Sequence, residues 1–144
     1  MTETTLLAGI PALRYGDPSA VCFIGAVQRL LEALGETVGQ DELFALSGVG
    51  LCFPWRCGSC CDEVGIIPEI PARTLGAFGY ESAYLTGEAL ADKAAAAAKI
   101  RASIAAGRPV IGFGVTVSAP MARLIVGCGK DGLYVRACQP PEGG

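Results

Sequence analysis

The chain carries seven cysteines and no histidine in 144 residues. A cysteine hydrolase needs a base that takes the thiol proton and returns it to the leaving group, and imidazole is the side chain whose pKa suits that task near neutrality. The thiols must therefore be read without their usual partner. Cys22 follows Asp17-Pro18-Ser19, a run that suits the opening of a helix. A thiolate there is stabilised by free amides and the helix dipole, which makes Cys22 the candidate nucleophile, with a carboxylate or water as base. The alternative is a small apolar residue on the inner face of that helix.

A second group lies in a stretch rich in glycine, proline and cysteine. Cys52, Cys57, Cys60 and Cys61 place four thiols within ten residues, and thiolate suits zinc and other soft ions. Structural zinc sites usually draw two pairs across a longer loop, so the expectation is no cofactor, with zinc or another soft metal as the alternative. Cys57-Gly58-Ser59-Cys60 also has redox spacing with Trp55 nearby, but Gly65 and Pro68 break the long helix that such pairs open. Cys128 and Cys138 fall on strand-like runs and read as packing.

Composition narrows the function classes. The chain has 11 basic and 14 acidic residues, a net charge of −3, and its basic residues are scattered, so no nucleic-acid partner is expected. With 51% hydrophobic and 17% charged residues, polar surface is scarce, which favours covering part of the molecule with a second copy as a homodimer. The apolar patch from Leu6 to Ile10 follows Glu3 instead of a basic segment and is too short for a signal peptide. No run is long enough to span a bilayer, so no membrane partner is expected and the expected setting is the reducing cytoplasm.

The elements that must position these residues follow from periodicity. Val21, Ile24, Val27, Leu31 and Leu34 recur at helical spacing before Gly35. A second helix is predicted over 40–46, a short one over 72–78, and a short strand over 80–85. Alanine-rich 88–106 reads as one helix with Leu90, Ala94, Ala97, Ile100 and Ile104 as its buried stripe. Strands are predicted over 109–115, 123–128 and 133–138, the last two joined by Gly129-Lys130-Asp131-Gly132. Helices first and antiparallel sheet last make a single α+β domain over residues 1–144.

Three pieces carry a family resemblance: Cys22-Phe23-Ile24-Gly25-Ala26 opening a helix that ends Leu34-Gly35, the passage Ala105-Ala106-Gly107-Arg108-Pro109-Val110-Ile111, and the run from Leu124 to Val135. Together they resemble the papain-like superfamily, in the compact form of bacteriocin leader peptidase domains and the N-terminal domain of butirosin biosynthesis protein H. The resemblance implies a papain-like fold, with N-terminal helices packed on a C-terminal antiparallel sheet, and puts Cys22 at the nucleophile position. It puts the family's histidine near Met121 or Ala122, and its oxyanion glutamine within the run Gly16-Asp17-Pro18-Ser19-Ala20-Val21.

The reading is therefore a non-catalytic binding or interaction module on a degenerate papain-like peptidase fold. It takes a peptide or small molecule in a cleft near Cys22, with Trp55 and Met121 as lining and Asp17 and Arg123 at the rim. The alternatives are a histidine-independent thiol enzyme that uses Cys22 for acyl transfer, and a soft-metal or redox thiol protein that uses the loop over 52–61.

Overall fold

The computed structural model describes residues 4–14, 22–49, 67–115, 122–136 and 138–139. Along them run β1 (Thr5–Leu6), β2 (Leu13–Arg14), α1 (Cys22–Ala33), α2 (Gln40–Ser47), α3 (Glu69–Gly76), α4 (Glu88–Ala91), α5 (Lys93–Ala105), β3 (Val110–Phe113), β4 (Ala122–Gly129), β5 (Gly132–Arg136) and β6 (Cys138–Gln139). The protein is an α+β molecule built around an antiparallel sheet.

All eight residues of β4 are buried, which explains why this strand reads as a continuous apolar run and not as an alternation. β3 pairs with its first half, Val110 opposite Ile125 through Phe113 opposite Ala122. β1 pairs with its second half, Thr5 opposite Cys128 and Leu6 opposite Gly127. β5 pairs with residues 124–129. Because a strand has two edges, β1 and β3 share one edge of β4 end to end and β5 takes the other. β2 and β6 form a separate parallel pair, Leu13 opposite Cys138.

Successive residues of β4 face opposite layers. Ala122, Leu124 and Val126 join Phe23, Ile24, Val27, Leu30 and Leu31 of α1 in the main core, against which Ile111 and Phe113 of β3 also pack. Ile125 is buried outside that cluster, as are Ala96 and Ile104 of α5, and α5 packs against β1, β3 and β4. The sheet thus lies between α1 on one face and α5 on the other. Helices α2 and α3 extend the α1 layer: Gln28 of α1 donates to the Val38 carbonyl at 3.0 Å and accepts from Gln40 at 3.2 Å, while Arg73 of α3 donates to the Ser47 carbonyl of α2.

Local chemistry sets the element ends. α1 closes in a Schellman motif, with Gly35 at φ +93° and the Glu36 amide donating to the Leu31 carbonyl at 3.0 Å. α2 ends at Gly48, φ +69°, where any Cβ would also meet the Arg73 guanidinium at 2.9 Å. The helix predicted over 72–78 begins earlier, at Glu69, because Pro71 falls in the first turn, where a missing N–H costs nothing. The single helix predicted over 88–106 is two. Asp92 interrupts it at φ −80°, ψ 85°, and its side chain accepts from the Ala95 amide at 3.0 Å, capping α5. The break rotates the faces, so Leu90 is 51% exposed and Ala94 is exposed, while Ala96 and Ile104 are the buried positions of α5. Residues 80–85, expected as a short strand, form no strand or helix.

Candidate functional site

Beside α1 the core is incomplete. A cavity of about 580 Å³ opens where the α1 layer, the edge of β3 and α5 meet. From α1 it receives Phe23, Leu30 and Leu34, three residues of one helical face. Leu75 and Pro71 of α3 continue that apolar wall. Phe113 of β3 stacks on Phe23 with ring centroids 6.3 Å apart and 26° between planes, and both rings line the space. Lys99, Ile100 and Ser103 of α5 form the opposite side, and residues 80–85 pass along the front.

The polar groups are few and placed at the margin. Lys99 and Arg108 bring two cations against the single carboxylate of Glu81. The one ion pair among the described residues joins Arg29 to Glu32, so neither cation is neutralised there by a described carboxylate. Ser103 is held to the turn after α5, its hydroxyl donating to the Arg108 carbonyl at 3.0 Å while the Arg108 amide donates back to the Ser103 carbonyl at 2.9 Å. Tyr80 donates to a Glu36 carboxylate oxygen at 2.8 Å, which anchors the start of the 80–85 segment to the loop after α1. That hydrogen bond is the main cause of a Tyr80 pKa above 10.0, with desolvation and the negative charge of Glu36 adding to it. Burial raises the Tyr84 phenol likewise, so both phenols are neutral near pH 7.

The residues expected at the cleft are distributed as follows. Cys22 is the first residue of α1, 5% exposed and inside the main core cluster. It does not line the cavity, but its neighbour Phe23 does. Arg123 lies on the α5 face of β4, is 7% exposed and is not among the residues that line the cavity. Its Nε is buried without a hydrogen-bond partner among the described residues. Ala122, one of the two residues near which the resemblance would put a histidine, is fully buried in β4. Asp17, Trp55 and Met121, and the thiols Cys52, Cys57, Cys60 and Cys61, lie outside the described residues. Among the described residues no group of three or more metal-ligating side chains converges.

Sequence reasoning missed Leu34, Leu75, Lys99, Ser103 and Arg108 as site residues. Leu34 and Ile100 were legible as apolar, and periodicity assigns such residues to a core whether or not that core is filled. The signal that could have exposed the cavity was the 80–85 segment, strand-like in composition yet with no evident partner strand.

No protein-family model matches the chain, and searches of curated proteins and of solved structures likewise give no match. No helix among the described residues is long and apolar enough to cross a membrane.

Proposed function

We propose that the protein is a non-catalytic binding module that takes a peptide or small molecule in the cavity beside Cys22, on a degenerate papain-like fold. The observation that carries the reading is the cavity itself. Its volume of about 580 Å³ is that of ligand sites, and it combines an apolar wall with a few convergent polar groups. The papain-like part is supported by a cysteine at the first residue of a long N-terminal helix and by an antiparallel sheet of which β3, β4 and β5 follow the helices. The non-catalytic part is supported by the absence of histidine from the sequence and by the burial of Cys22 in the core.

The test pairs two variants in a binding screen against mixed short peptides and drug-sized apolar acids. Leu34→Trp, which places an indole in the cavity, is expected to remove binding. Cys22→Ser is expected to leave the affinity of the ligands found within a few-fold and to show, like the wild type, no turnover of thioesters or peptides. Turnover that disappears in Cys22→Ser would overturn the non-catalytic reading, and binding that survives Leu34→Trp unchanged would move the site elsewhere.

A further inference from the structure

The cavity touches both layers of the molecule at once. Phe23 and Leu30 lie on the α1 face of the sheet, Lys99 and Ser103 on the α5 face, and consecutive β3 residues Val110 and Ile111 line the same space. Side chains of consecutive strand residues point to opposite faces. A single void reaches both only if it runs along the edge of the strand, where the next strand of the sheet would lie.

That edge carries unused hydrogen-bonding groups. β3 pairs only with β4 among the described residues. In an antiparallel pair every second residue turns its N–H and C=O away from the partner, so two of the four β3 residues present a donor and an acceptor to the cavity. No described residue bonds to them. Residues 81–83, which also line the void, belong to no helix or strand and make no backbone hydrogen bond to a described residue. The open edge of β3 and the unbonded backbone of residues 81–83 therefore both border this slot.

We propose that the ligand is an extended peptide that enters this slot as an added β-strand antiparallel or parallel to β3, with apolar residues alternating with acidic ones. The proposal rests on the binding reading above and names its ligand class. A peptide strand beside β3 turns alternate side chains into the apolar wall of Phe23, Leu30, Leu34 and Phe113, and the intervening ones toward Lys99 and Arg108. Two cations facing one carboxylate, Glu81, select acidic side chains at the second set of positions. A partner strand matching the four residues of β3 spans roughly 13 Å.

The test selects from pooled short peptides in which Val, Ile, Leu or Phe alternates with Asp or Glu, against a pool of the same composition with the apolar residues grouped together. The alternating pool is expected to enrich. N-methylation of every second residue of the enriched peptide is expected to weaken binding roughly tenfold or more in the register that faces β3, since each methyl removes a main-chain donor. The two outward amides of residues 110–113 should become protected from hydrogen exchange on binding. The exposed double variant Lys99→Glu/Arg108→Glu should shift selection to peptides bearing lysine. Equal enrichment of the grouped pool, or binding without β3 amide protection, would overturn strand addition and leave the broader binding reading intact. So would small-molecule binding that Leu34→Trp abolishes without enrichment of any peptide. Amide protection that rises with protein concentration alone would assign the slot to a second copy and overturn the peptide. Binding of neither peptides nor small molecules would overturn both readings.

Discussion

Two residues show how single groups set the local free energy. The Tyr80 hydroxyl holds its proton against the Glu36 carboxylate, which raises its pKa above 10.0 in the folded protein. A raised folded-state pKa contributes stability that is fully present below the unfolded value and disappears as pH rises through the folded one. Tyr80→Phe is therefore expected to be less stable than the wild type at neutral pH, with the difference shrinking above pH 10, as urea unfolding at several pH values will read. Gly127 is a steric case. A Cβ there would come within 2.7 Å of the Thr5 carbonyl oxygen and 2.9 Å of Leu6 Cδ1, so Gly127→Ala must push β1 away from β4. The expected loss is about 1–3 kcal/mol, measured by chemical denaturation.

At the scale of elements, the α4–α5 boundary offers a direct check on how the alanine-rich segment is read. Asp92→Ala removes the cap on α5 and is expected to cost about 0.5–2 kcal/mol, measured by thermal unfolding. Alanine's high propensity hides this boundary in the sequence, because residues on both sides favour helix and only the side chain of Asp92 favours an end. Where glycine supplies a positive φ, as at Gly35 and Gly48, helix ends were legible. β4 and β5 were legible within a residue or two because the Lys130-Asp131 turn lies between glycines. β1 was not: it is two residues long and has no periodicity of its own, and it becomes a strand only because the far half of β4 offers it an edge. Residues 80–85 fail in the opposite sense, with a strand's composition but no pairing to any strand among the described residues. Local pattern describes what a segment can do, and tertiary pairing decides whether it does so.

At the scale of the molecule, β4 is buried on both faces because α1 and α5 cover opposite sides of the sheet, and the cavity forms where those two layers run past the edge of β3. No stretch of sequence encodes that void. It arises from the spacing between residues distant in the chain, Phe23 and Leu34 at one end and Lys99 to Phe113 at the other. The sequence did place Cys22 on the helix beside it, next to Phe23, which lines the cavity. The central claim is that ligands lodge in this cavity without help from the Cys22 thiol. Methyl and amide NMR of the wild-type protein, titrated with a ligand from the binding screen, tests it most directly. Shifts are expected to concentrate on Leu30, Leu34, Ile100, Ile111 and Phe113, to be reproduced in Cys22→Ser and to be absent in Leu34→Trp. Shifts that leave these residues unmoved, or that vanish in Cys22→Ser while the fold is kept, would contradict it.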